Sequence, residues 1–125
     1  MTKLIELTIR VRDVERSRRF YELLGLPCGP VDQDEPGGER HVHAMWGKWS
    51  SASDDFLMLN IYPASEAASA PASLGFASDD LDALHQRLSA EGIDVLHPPA
   101  TRPWGRMATY RDPDGNVVTV SQRPR

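Results

Sequence analysis

Two histidines stand two positions apart in the segment "RHVHAMWG", residues 40–47. Residues two apart on a β-strand point to the same face, so His41 and His43 would present two imidazoles together. This holds if Val42, Ala44 and Trp46 pack on the opposite, apolar face. A pair of imidazoles can bind a polar ligand or a metal ion. Two histidines at the surface or at the edge of the core are the alternative.

A second group of interactive side chains lies in "TRPWGR", residues 101–106. Trp104 stands between Pro103 and Gly105, which favours a loop and an exposed ring. An exposed indole offers a flat face to planar aromatic or cationic groups, whereas a packing role would place it over the open end of a sheet. Arg102 and Arg106 flank the tryptophan and are predicted either to border a ligand groove or to pair with its acids, and two solvated loop arginines are the alternative.

Hydrophobic periodicity predicts the elements that position these residues. Alternating apolar residues indicate strands at 4–11, 40–47, 56–62 and 73–78, an extended segment at 93–99, and two strands joined by a turn within 101–122. Helical spacing predicts helices over 14–25 and 79–92, and Asp13 and Asp80 are placed to cap them. Residues 29–39, rich in Gly, Pro and acids, are predicted to form a loop.

The second half of the chain repeats the first. A shift of 67 positions (80 − 13) matches Asp13 with Asp80 and Gly25 with Gly92, and it also matches the preceding strands. We therefore predict an α+β fold of two tandem βαβββ modules in a single domain, residues 1–125. Module 1 covers about 1–62, an Ala/Ser/Pro-rich linker covers 63–72, and module 2 covers about 73–122.

Composition limits the classes of partner and compartment. The net charge of −4 argues against nucleic acid, which normally calls for a basic face. The single cysteine, Cys28, excludes an internal disulfide and a multi-cysteine zinc site. Since no apolar run approaches about 20 residues, we expect no membrane partner and a cytoplasmic protein.

Three segments carry a resemblance to a known family: "RVRDVERSRRFYELLGL" (10–26), "FASDDLDALHQRLSAEGIDV" (76–95) and "YRDPDGNVVTV" (110–120). Together they resemble the vicinal oxygen chelate superfamily, which includes glyoxalase I, extradiol dioxygenases and the fosfomycin- and bleomycin-resistance proteins. The "RPWGR" segment is similar to the bleomycin-binding branch, where a tryptophan helps to form the ligand groove. The resemblance implies a curled, mostly antiparallel sheet around a concave cleft, with the helices outside.

Metal-dependent members of this superfamily bind a divalent ion in that cleft. Their ligand positions match Glu6, Asn60, Ser73 and Thr119 here, and strand alternation turns these residues and Thr8 toward the cleft. One carboxylate, one amide and two hydroxyls are a poor donor set for a transition metal, so we expect no divalent metal and no other cofactor. Glu6 alone could act as a general base if burial made it more basic. A solvated or arginine-paired carboxylate is the alternative.

The resemblance thus favours a metal-free protein that sequesters an aromatic or cationic small molecule, as in the antibiotic-resistance branch. Two alternatives stay open: an enzyme, either a metal-dependent lyase or dioxygenase or an isomerase using Glu6, and a dimeric accessory domain without a ligand. A homodimer is expected because relatives complete their clefts and bury exposed strand edges with a partner chain.

Overall fold

The structure is a computed structural model that describes residues 4–48, 55–64, 72–103 and 105–122. The chain divides into two compact units, Met1–Ser69 and Ala70–Arg125. Each unit combines one helix with one sheet. Trp49, residues 50–54, Trp104 and most of the predicted linker lie outside the described residues.

Unit 1 contains one helix and three strands. In chain order these are β1 (Glu6–Val11), α1 (Val14–Leu24), β2 (Val42–Trp46) and β3 (Leu57–Pro63). The strands are arranged β1-β3-β2; β1 runs parallel to β3, and β2 runs antiparallel to it. The parallel pairing of β1 with β3 places residues more than 50 positions apart side by side.

Unit 2 contains one helix and four strands. These are β4 (Ser73–Ala77), α2 (Leu81–Ala90), β5 (Val95–Arg102), β6 (Gly105–Arg111) and β7 (Val117–Gln122), in the sheet order β4-β7-β6-β5. The turn between β6 and β7 is built around Asp112, whose carboxylate accepts hydrogen bonds from the backbone N–H groups of Asp114 and Asn116 at 2.9 and 2.8 Å. This "DPDG" segment is therefore a structural turn.

The predicted repeat is confirmed at the level of single hydrogen bonds. The side chain of Asp13 caps α1 by accepting a hydrogen bond from the backbone N–H of Arg16. The side chain of Asp80 caps α2 in the same way, by accepting from the backbone N–H of Ala83. Gly25 and Gly92, at φ 107° and 71°, end the two helices in the left-handed region that glycine adopts without strain. The α+β fold with two modules is thus the one that the sequence predicted.

Residues 28–32 differ from the prediction of a loop over 29–39. Cys28 bridges to Ala44 and Asp32 to His41, both antiparallel, and the Asp32–His41 pair exchanges two backbone hydrogen bonds of 2.9 Å. This segment lies beside β2 as β5 lies beside β6, so it supplies the fourth strand position of unit 1. Its glycines, prolines and acids hide that role, because pairing to β2 uses the backbone and not an apolar pattern.

Each helix packs its apolar side on its own sheet. The strand residues beneath α1 include the buried Ile9, Val11 and Ile61, and α2 buries its three leucines. Strand alternation places Leu7 on the same side of β1 as the buried Ile9 and Val11. Leu7 is nevertheless 43% exposed, whereas Leu74, its equivalent in unit 2, is buried. Among the helices of the described residues, none is long and apolar enough to span a membrane.

Candidate functional site

The sheet of unit 1 has one face packed on α1 and one face that carries polar side chains. Val42 and Ala44 are fully buried, so the intervening His43 and the preceding His41 lie on the opposite face, as the sequence predicted for that case. We call this opposite surface the polar face of unit 1. It is formed by Glu6, Thr8, Arg10, His41, His43, Asn60 and Tyr62, and Asp34 reaches it from the segment that precedes β2.

Asn60 is the centre of a hydrogen-bonded chain on this face. Only 5% of it is exposed, and its amide Nδ2 donates to Thr8 Oγ1 at 3.3 Å. Its Oδ1 accepts from His43 Nδ1 at 2.6 Å. Because Oδ1 can only accept, His43 carries its hydrogen on Nδ1, which leaves Nε2 pointing away with a free lone pair in the neutral ring.

His41 is oriented in the same way by the backbone. The ring is 2% exposed, and its Nδ1 donates to the carbonyl oxygen of Glu39 at 2.8 Å. Its Nε2 lies 3.2 Å from Asp34 Oδ1, and the Nε2 of His43 lies 3.8 Å from the same oxygen. Asp34 comes within reach of both rings because Asp32, two residues before it, forms a β-bridge with His41.

An aromatic stack and an ion pair border the histidines. The ring of Tyr62 is stacked on His41 with centroids 4.6 Å apart and an interplanar angle of 12°, and the guanidinium of Arg10 lies 5.1 Å from the centre of the Tyr62 ring. Arg10 also pairs with Glu39 at 2.9 Å. Partial burial raises the pKa of Tyr62 above its ordinary 10.0, and the nearby carboxylates of Asp34 and Glu39 raise it further. The phenol is therefore a neutral hydrogen-bonding group at physiological pH.

The corresponding face of unit 2 carries small hydroxyl side chains. Thr119 pairs with Gly75, the position equivalent to Thr8, just as Asn60 pairs with Thr8 in unit 1, so Asn60 and Thr119 occupy equivalent places. Thr119 Oγ1 lies 3.5 Å from Thr109 Oγ1. Ser73 is exposed at the start of β4. Unit 2 thus has no counterpart, among its described residues on this face, to the histidine cluster of unit 1.

The two arginines that flank Trp104 have different positions. Arg106 lies on the helix side of its sheet, where its guanidinium donates to Asp82 of α2 at 2.9–3.3 Å, so the acid that it pairs with belongs to the helix and not to the face expected to line the cleft. The structure does not bring it together with Thr119. Arg102 is exposed at the end of β5, opposite Gly105. Trp104 itself lies outside the described residues, so its groove role stays a prediction.

The sequence also shows to which superfamily this fold belongs. The sequence matches the Glyoxalase/Bleomycin resistance protein/Dioxygenase superfamily over residues 3–120, and the chain belongs to that superfamily.

Individual relatives are similar over nearly the whole chain. TnmS3, described as an antibiotic binding protein from Streptomyces sp. CB03234, has a solved structure that is 28% identical, with a TM-score of 0.74 and coverage of 99% of this chain and 98% of that one. A glyoxalase/bleomycin resistance protein from the same organism is 27% identical, with a TM-score of 0.71 and coverage of 96% and 100%. The uncharacterized protein YetH of Bacillus subtilis (strain 168) is 22% identical over 93% of this chain and 94% of its own length.

The residues at the superfamily's metal positions do not fit a divalent ion. Asn60 uses its amide oxygen for His43, and the hydroxyl of Thr119 lies beside that of Thr109. Ser73 offers only a neutral hydroxyl, which leaves Glu6 as the one charged donor. Glu6 is exposed, whereas a general base activated by burial requires a desolvated carboxylate. These four positions therefore support neither a metal-dependent step nor buried-base catalysis.

Three members of the polar face were not predicted as site residues: Asp34, Arg10 and Tyr62. Tyr62 and Arg10 could have been found, because strand alternation puts them in line with Asn60 and Thr8. For Asp34 the sequence contains no local signal, since it belongs to an acidic loop seven residues before His41.

Proposed function

We propose that this protein binds an aromatic or cationic small molecule, without a metal at the four superfamily positions. The observation that carries the proposal is its similarity along the whole chain to TnmS3, an antibiotic binding protein, at an identity above that of the other relatives named here. Binding without chemistry also agrees with the poor donor set at Glu6, Asn60, Ser73 and Thr119. The protein would then act by sequestration, as an antibiotic-resistance function requires.

The polar face of unit 1 offers chemistry that suits such a ligand. Glu6 and Asp34 are exposed carboxylates on this face, and they favour a cationic group. Tyr62 supplies an aromatic surface and a neutral phenol that can donate or accept a hydrogen bond. His43, 28% exposed, adds a further polar contact that Asn60 holds in one orientation. For unit 2, we separately propose Arg102 and Trp104 of the "RPWGR" segment as ligand contacts, on the resemblance to the bleomycin-binding branch.

Calorimetric titration of the full chain with bleomycin, and then with a panel of planar aromatic and cationic antibiotics, tests this function. The titrations are run with a chelator present, so that a metal cannot mediate the binding. Saturable binding of at least one cationic compound is expected, and Glu6→Gln should weaken it several-fold. Asp82→Asn is the matched control, because it removes the same charge from the helix side of unit 2. Binding by none of the panel, or equal affinity of Glu6→Gln and wild type for every cationic compound, would contradict the proposal.

We also propose that the protein is a cytoplasmic homodimer. β1 is an edge strand of its sheet, and Ile5 and Leu7 at its start are 40% and 43% exposed. Apolar side chains beside an open strand edge favour association with another chain. Sedimentation should therefore show a dimer at micromolar concentration, and Leu7→Glu should shift it to monomer. A wild-type monomer would contradict the dimer proposal without affecting the ligand proposal.

A further inference from the structure

We propose that Asp34, His41 and His43 form a binding site for a divalent transition-metal ion, separate from the superfamily's metal positions. The ligand atoms of these three residues all lie within 4.8 Å of one another. Two imidazoles and one carboxylate are a donor set that Zn²⁺ and other first-row divalent ions accept. This inference goes beyond the proposed binding function, and it changes the expectation from the sequence that the protein holds no metal.

Two of the three separations between donor atoms are close to those that a small ion requires. Donors about 2.1 Å from a tetrahedral ion stand about 3.4 Å from one another. Asp34 Oδ1 lies 3.2 Å from His41 Nε2 and 3.8 Å from His43 Nε2. Asp34 is exposed and can adjust its side chain by a few tenths of an ångström, and the two histidine nitrogens lie within 4.8 Å of each other.

The Nδ1 hydrogen bonds of the two histidines leave both Nε2 atoms on the side of Asp34. The Nδ1 of His41 donates to the Glu39 carbonyl, and the Nδ1 of His43 donates to Asn60 Oδ1. In each ring Nε2 is therefore the nitrogen left for a metal ion, and the two Nε2 atoms lie 3.2 and 3.8 Å from Asp34 Oδ1. Without a metal, the carboxylate of Asp34 can only accept, so its 3.2 Å contact with His41 requires a hydrogen on Nε2 of that ring. A metal ion satisfies all three ligand atoms at once; a proton on one ring satisfies only part of the cluster.

The surroundings supply the supporting contacts that metal-bound histidines normally have. An oxygen acceptor on the second ring nitrogen orients the ring and raises its basicity, and here both rings have one. Asn60 is itself held by its bond to Thr8, and Tyr62 stacks on His41 and limits rotation of that ring. The cluster opens on one side, since His43 is 28% and Asp34 72% exposed in their side chains. An ion can enter there and keep further coordination positions for water.

Metal titration of the full chain tests the proposal. Bound ions are first removed with a chelator, and the chelator is then removed by dialysis. Zn²⁺ is followed by calorimetry, and Co²⁺ by the visible absorption of a tetrahedral or five-coordinate site. One ion per chain is expected. His43→Ala and Asp34→Ala should abolish stoichiometric binding, and Asn60→Ala, which leaves the three ligands in place, should weaken it about 10-fold or more. Circular dichroism of each variant shows whether it is folded.

Two matched controls decide the location of the ion. His97→Ala removes an exposed imidazole from β5 of unit 2 and should leave the Zn²⁺ affinity unchanged. Glu6→Gln removes the one charged donor at the superfamily's metal positions and should also leave it unchanged. The proposal is overturned if wild type binds no Zn²⁺ at about 100 μM, if folded His43→Ala and Asp34→Ala bind as wild type does, or if Glu6→Gln abolishes binding. Antibiotic binding is measured with chelator present, so either proposal can fail without the other.

Discussion

Replacing Asn60 by alanine is expected to destabilise the protein by about 2 kcal/mol. The side chain is almost completely buried and makes two side-chain hydrogen bonds, at 3.3 Å to Thr8 and 2.6 Å to His43. Each such bond contributes about 0.5–1.5 kcal/mol net. The alanine also leaves His43 Nδ1–H facing an apolar methyl group and a small void. Thr8 is exposed and can bond to water instead, so we place the total in the middle of the range.

Thermal unfolding followed by circular dichroism measures this effect. A loss of about 2 kcal/mol in a domain of this size corresponds to a fall in Tm of about 8 °C. Thr119→Ala is the matched control, because Thr119 holds the equivalent place in unit 2 but makes only a 3.5 Å contact to Thr109 and is half-buried. Its cost should stay below about 1 kcal/mol.

The comparison of the two variants can refute the hydrogen-bonded network as the cause. If both lower the Tm by the same amount, loss of side-chain volume explains the data and the network contributes no measurable stability. If Asn60→Ala has the same Tm as wild type, water replaces the hydrogen bonds to Thr8 and His43 without loss of stability. Long-range ¹⁵N–¹H spectra of the histidine rings give an independent check, since His43 in wild type should carry its hydrogen on Nδ1.

Three further outcomes are expected. Burial and the nearby Glu22 charge raise the pKa of the Cys28 thiol from 9.0 to about 11. Alkylation at pH 8 should therefore be about 100-fold slower in the folded than in the denatured chain, and equal rates would contradict the raised pKa. The hydrogen bond from Arg106 lowers the pKa of Asp82 below its ordinary 3.8. Wild type should therefore have a higher Tm than Asp82→Asn above about pH 4, and this difference should vanish as the pH falls further. A Tm difference that does not change with pH would contradict the pairing. Trp104→Ala should weaken antibiotic binding several-fold with little change in Tm, whereas a buried tryptophan would cost about 3–5 kcal/mol in stability.

Local interactions made much of the fold readable from the sequence. Asp13 and Asp80 cap their helices through N–H groups three residues ahead, and Gly25 and Gly92 follow the same two aspartates by 12 residues, so the 67-residue repeat is visible without any tertiary contact. Alternation in β1 and β3 likewise separated the buried residues from the polar ones, because a strand turns successive side chains to opposite faces. The resemblance to the superfamily matched Asn60 and Thr119 as counterparts, and in the strand register Asn60 lies opposite Thr8 as Thr119 lies opposite Gly75.

Only the tertiary structure decided which polar residues meet. Asn60 and Thr8 are 52 positions apart and touch because β1 pairs with β3 in parallel. Asp34 reaches the histidines because residues 28–32 pair with β2 through backbone groups, which leave no trace in the side-chain pattern. Arg106 turns to Asp82 on α2, although its neighbours in the sequence predicted a ligand loop. Periodicity assigns a side chain to a face, but its partner depends on strand order and register, and these are set by long-range pairing that no short stretch of sequence encodes.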